Sequence, residues 1–276
     1  MVVLENLVVV FLAGLATALA TGLGALPFFF FDDISSRWNV VLWGLASGIM
    51  VSASVFGLIQ EGLAVVDGTL VDAAVAIGPG LAAGVVLVVV GHGLLDRAEV
   101  HPTEYEEADF KKLVLILGIL TVHSFPEGVA VGVSFAELGL AGVPDGETVA
   151  LLGLTLPVLA VFMTVAISIH NIPEGVAVSI PLRSMGVSEW RMVWWAVFSS
   201  LPQPVGAVIA YYFVTLAREF LPFGFGFAAG AMVYLVATEF IPEALEDGRE
   251  LPRGGRPELA AGLAVGVAVM VPLAFV

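Results

Sequence analysis

Two short stretches combine residue types able to hold a charged ligand: His123-Ser-Phe-Pro-Glu127-Gly and His170-Asn-Ile-Pro-Glu174-Gly. Each places an imidazole four residues before a carboxylate, so on a helix the two side chains share one face, one turn apart. Each also lies inside a long apolar run. An ionisable side chain there costs about 2.5–3.5 kcal/mol on insertion scales, and the chain bears that cost twice in the same pattern. His123, Glu127, His170 and Glu174 together offer two imidazoles and two carboxylates around one point. That set suits a divalent first-row metal such as zinc, iron, manganese or cobalt, and serves copper(I) poorly. Pro126 and Pro173 add to the chemistry. A proline inside a helix frees the carbonyl four residues back, here those of Val122 and Ile169 beside the histidines. A freed carbonyl in a membrane must face protein, water or an ion.

Composition sets the class of protein that carries these motifs. The 276 residues are 59% hydrophobic and only 13% charged, with a mean hydropathy of +1.02; a soluble domain carries roughly 25% charged residues. The expectation is an all-α, polytopic membrane protein forming a single domain over residues 1–276. The apolar stretch Val2–Phe31 is too long for a signal peptide and lacks a basic start, so it reads as the first span. No cysteine is present, which excludes disulfides and thiolate ligands. The formal charge of −15 reads first as a solvated acidic surface. A surface that concentrates cations near a pore is the sharper alternative. Nothing resembles a phosphate-binding Walker A loop, and no feature points to nucleic acid.

Windows of about 20 apolar residues mark spans. Eight are placed: Leu4–Phe28, Asn39–Val65, Ala73–Leu95, Lys112–Phe135, Thr155–Leu182, Trp190–Ala217, Leu221–Ala244 and Glu258–Phe275. Pro157 marks either the true start of the fifth or a kink. Nine of the ten basic residues fall in or beside alternate connections: Arg37; Arg97, Lys111 and Lys112; Arg183 and Arg191; Arg249, Arg253 and Arg256. Arg218 lies on the other side. The positive-inside rule then puts both termini outside. Spans four and five run antiparallel, and His123, eleven residues after Lys112, lies roughly 16 Å deep at about 1.5 Å per residue. The repeated motif on antiparallel central helices suggests an inverted repeat with the site at its interface. Glycines four apart (Gly44 and Gly48, Gly226 and Gly230, Gly262 and Gly266) predict close helix packing.

At these residues the sequence resembles the ZIP (Zrt/Irt-like) divalent-metal transporters, prokaryotic branch. His170 to Gly175 reads HNIPEG, a stretch highly specific to that family, and Gly226–Glu243 resembles its seventh span. The resemblance implies eight helices in a three-two-three inverted repeat, often a homodimer in a lipid membrane. It also implies a plasma-membrane, multi-pass carrier working by alternating access, with an elevator-like movement. Zinc would be the cargo, or iron, manganese, cobalt or cadmium. Many members hold two adjacent metals, bridged by the glutamates at the positions of Glu127 and Glu174. The second metal also uses an asparagine after the fourth-span histidine and a sixth-span glutamate. Here those positions are Ser124 and Gln203, while Asn171 is kept. One strong site is therefore expected at His123, Glu127, His170 and Glu174, with its neighbour weak or absent.

Other polar residues fall along the expected path. Gln60 and Glu61 suit an outer mouth. His92 with Asp96, and Glu239 with Glu243, suit an exit to the cytoplasm. The connection 96–111 carries His101 with Glu99, Glu104, Glu106, Glu107 and Asp109, and reads as a solvated loop. The alternatives are a metal-gated or proton-linked channel using the same residues, and an intramembrane metalloenzyme; the second lacks an HExxH arrangement.

Overall fold

Glycines at four-residue spacing decide how the helices pair. The computed structural model describes residues 4–31, 33–95, 107–138, 148–151 and 153–273. Its long helices are α1 (Leu4–Leu23), α2 (Ser36–Ala64), α3 (Leu70–Leu95), α4 (Glu107–Ser134), α5 (Val158–Ser184), α6 (Glu189–Leu216), α7 (Arg218–Asp247) and α8 (Arg256–Leu273). Among the described residues, seven of these helices are long and apolar enough to cross a membrane by length and composition. The chain is a helical, multi-pass membrane protein. The helix α4 spans 28 residues, about 42 Å at 1.5 Å per residue, against a hydrocarbon core of about 30 Å.

On α2 and α8, Gly44 meets Gly262 and Gly48 meets Gly266. A Cβ on either α2 glycine would lie 3.1 Å from the partner's Cα. A Cβ on Gly262 would run into the carbonyl oxygen of Val41. On α3 and α7, Gly80 and Gly84 face the carbonyls of Phe223 and Phe227, while Gly226 and Gly230 face those of Ile77 and Leu81. On α4 and α6, Gly128 and Gly132 lie against the carbonyls of Gln203 and Ala207. The residue numbers rise together on both members of each pair, so α2 runs parallel to α8, α3 to α7 and α4 to α6. Backbones this close gain dispersion contacts that larger side chains would prevent. The expected close packing at Gly44, Gly48, Gly226, Gly230, Gly262 and Gly266 is what the structure has.

Two groups result. The helices α1, α4, α5 and α6 pack chiefly on one another, as do α2, α3, α7 and α8; the groups meet where α2 lies on α5 and α4 on α7. The turn after α4 is tied down by Asn6, which donates to the Leu138 carbonyl at 3.1 Å, and by Arg218, which donates to that of Ala136 at 3.1 Å. Three local features depart from the sequence expectation. Residues Thr148–Leu151 and Leu154–Pro157 form an antiparallel hairpin, β1 and β2, turning at Gly153 with φ +80°. The fifth helix therefore begins at Val158, not Thr155, because Pro157 cannot continue a helical hydrogen-bond ladder and stands as its N-cap. Also, α2 and α7 each contain a π-helical turn, at Ala53–Ile59 and Val236–Phe240. The loop residues Glu99, His101, Glu104 and Glu106, along with Asp96 and Arg97, lie outside the described residues.

Candidate metal centre

Helices α4 and α5 run unbroken through Pro126 and Pro173, and this keeps each His/Glu pair on one face. Glu127, His170 and Glu174 come together: one ligand atom from each lies within 4.8 Å of the others, and all three residues are buried. Nε2 of His170 stands 3.3 Å from Oε1 of Glu127 and 3.6 Å from Oε1 of Glu174. None of these three atoms has a hydrogen-bond partner. Zinc binds such atoms at about 2.0–2.2 Å, so tetrahedral ligands sit about 3.4 Å apart. The two separations from His170 match that spacing.

The ring of His170 is oriented from outside the cluster. Its Nδ1 lies 3.3 Å from the carbonyl oxygen of Ala46 on α2. A proton on Nδ1 donates there, which leaves the Nε2 lone pair facing the two carboxylates. Three buried acceptors then converge, and a cation, metal or proton, would satisfy them. Phe240, in the π-turn of α7, stacks on the His170 ring at 5.4 Å and 15° and borders His123 at 6.3 Å.

His123 is buried but turns away from this trio. Its Nε2 lies 3.1 Å from Nε2 of His92 on α3, and Nδ1 of His92 lies 3.2 Å from Oε1 of Glu239 on α7. Its own Nδ1 has no hydrogen-bond partner. The expected four-ligand set is thus three converging groups plus an imidazole engaged toward the expected exit residues. His92 links the two, and its pairing with His123 had no signal in spacing, because the two lie on different helices. Glu243 sits one turn beyond Glu239 on α7, on the surface. Gln60 and Glu61 lie at the C-terminal end of α2, outside the cluster.

The remaining expected positions form a polar layer beside the trio. Ser124 donates to the carbonyl of Ser199 at 3.1 Å. Gln203 is fully buried; its Nε2 donates to Oε2 of Glu127 at 2.5 Å, and its Oε1 accepts from Oγ1 of Thr17 at 2.6 Å and Nδ2 of Asn171 at 3.1 Å. Asn171 also donates to the carbonyl of Thr17 at 2.7 Å. Thr17, Ala46 and Phe240 were not legible as site residues. Thr17 was the most visible of them, as a hydroxyl inside an apolar first span.

These features define a multi-pass helical membrane protein with a buried carboxylate–imidazole cluster of a kind that can hold a metal ion. A family model described as ZIP zinc transporter matches residues 152–274. The zinc transporter ZIPB of Bordetella bronchiseptica is 35% identical over 94% of this chain and 78% of its own length. The zinc transporter GufA of Myxococcus xanthus is 33% identical over 86% of this chain and 89% of its own. A protein of Arabidopsis thaliana is 38% identical over 84% of this chain, which spans only 34% of that plant protein. The chain belongs to the ZIP family.

Proposed function

We propose that this protein is a secondary carrier that brings divalent transition-metal ions, zinc foremost, into the cytoplasm through a single strong site. The carrying observation is the convergence of Glu127 Oε1, His170 Nε2 and Glu174 Oε1, unpartnered and buried, at separations of 3.3 and 3.6 Å. The relatives named as zinc transporters support zinc over iron, manganese, cobalt or cadmium. His123 completes the ligand set when its ring leaves His92, and the same movement points toward His92 and Glu239 as the way out. A dication entering against two carboxylates leaves the loaded site neutral. Proton exchange comes with loading, because metal displaces protons from these groups. The membrane potential is worth about 2.3 kcal/mol per charge per 100 mV, and twice that for a dication.

Eight crossings with both termini outside belong to the same proposal. Parallel packing of α3 on α7 supports it, since three crossings must separate them and α4 supplies one. The pairing of α2 with α8 is matched by that of α7 with α3, and α1 on α5 by α6 on α4. The π-turns in α2 and α7 correspond as well. These matches support an inverted repeat. A plasma-membrane location, with the basic connections on the cytoplasmic side, belongs to the same proposal.

Purified protein in liposomes should take up zinc saturably, faster with an inside-negative potential. His170→Ala should reduce flux to the level of empty vesicles. Normal uptake by His170→Ala would refute the proposal, and non-saturating, channel-like flux would refute the carrier mechanism.

A further inference from the structure

We infer that Gln203 is a positioning residue that sets metal specificity, by holding Glu127 to a single coordinating oxygen. The inference rests on the reading of Glu127, His170 and Glu174 as the metal ligands.

The amide of Gln203 has one workable orientation. Turning it over would set its NH2 against the Asn171 NH2, whose donor role is fixed by its bond to the Thr17 carbonyl at 2.7 Å; the Thr17 hydroxyl, which also reaches the Gly14 carbonyl at 2.8 Å, suits either orientation. It would also set the Gln203 carbonyl oxygen against the Glu127 carboxylate. As it stands, its neighbours are complementary: Glu127 accepts from Nε2, Asn171 donates to Oε1, and the Thr17 hydroxyl shares its one proton between Oε1 and the Gly14 carbonyl. The backbone is held as firmly. A Cβ on Gly128 would collide with the Gln203 carbonyl, so α4 and α6 touch at this level. The side chain is fully buried, and partners from α1, α4 and α5 converge on it.

The chemical consequence falls on Glu127. Its Oε2 accepts from the amide at 2.5 Å, which occupies one of that oxygen's lone pairs, while Oε1 is the oxygen 3.3 Å from His170 Nε2. A carboxylate so held is biased toward binding a metal through one oxygen, because the amide fixes its plane and draws on the other. Zinc accepts this readily, because it is content with four ligands of mixed nitrogen and oxygen. Manganese, which prefers six oxygen-rich ligands, loses the bidentate mode that would bring its shell toward completion. Gln203 also adds no charge, so the two carboxylates alone balance the dication.

The test is equilibrium zinc and manganese binding to the purified full chain, comparing wild type with Gln203→Leu and Thr17→Val. Gln203→Leu removes the donor and frees Oε2. The affinity ratio of zinc to manganese should fall by roughly tenfold or more, the scale seen when groups behind a metal ligand are changed. Manganese affinity should rise in absolute terms. Damage to structure alone would lower both affinities together, and that outcome overturns the inference. Thr17→Val loosens the amide without removing it and should shift the ratio in the same direction by less; it decides the matter if Gln203→Leu does not fold. An unchanged ratio in the folded variants also overturns the role of Gln203. A wild type that binds neither metal, or a His170→Ala variant that binds like wild type, overturns the underlying site instead.

Discussion

His170 on α5 meets Glu127 on α4 across 3.3 Å with no proton donor fixed between them, while its other nitrogen is turned to the Ala46 carbonyl on α2. The two contacts lie on opposite sides of the boundary between the helix groups. One histidine thus reads both the contents of the site and the position of α2. Loading and movement are expected to be coupled through this ring.

Removing any of the three converging groups should cost most of the binding. Glu174→Ala and Glu127→Ala are each expected to lower zinc affinity by at least 10-fold, since ligands are worth no less than the groups behind them, which are worth roughly 10–100-fold. Isothermal titration of detergent-solubilised protein measures this directly. Retention of wild-type affinity by either variant would show that its carboxylate is not a ligand.

Zinc binding should weaken as pH falls. Metal binds the deprotonated carboxylates and the neutral imidazole, so protons compete for the same atoms and loading releases protons. Titrations in two buffers of different ionisation enthalpy should give different apparent heats at one pH. Equal heats would mean that no proton leaves on binding.

The inner residues should affect release and leave the central affinity alone. In Glu239→Gln, the partner of His92 at 3.2 Å loses its charge. Central zinc affinity is expected to match wild type while turnover in liposomes falls. Unchanged turnover would remove Glu239 from the path.

The glycine contacts are expected to matter more than their lack of chemistry suggests. Gly262→Leu would drive a side chain into the Val41 carbonyl and separate α2 from α8, at a cost of about 1–3 kcal/mol for overpacking. Gly78 has open space around its Cβ direction among the described residues, so Gly78→Ala should hold or slightly raise stability. Thermal unfolding in detergent should lower the melting temperature of the first variant and not of the second.

Much of this was legible because it depends on local spacing. The His/Glu pairs lie one turn apart whatever the rest of the chain does, and glycines four apart leave one face of a helix bare. Apolar windows located the helices to within a few residues, and Pro157 marked where α5 could start. The unread parts arise from contacts between distant segments. No spacing rule joins His123 to His92, sets the Ala46 carbonyl behind His170, or lays Phe240 on its ring. The π-turns at Ala53–Ile59 and Val236–Phe240 have no local composition that announces them. Gln203 stood out as an amide where the family resemblance implies a carboxylate. Its bond to Glu127 needed four helices assembled.

The most direct measurement is an anomalous difference map from zinc-soaked crystals. One strong peak is expected between Glu127 Oε1, His170 Nε2 and Glu174 Oε1, with at most weak density beside Gln203. Two fully occupied ions, or no peak at His170, would contradict a single central site.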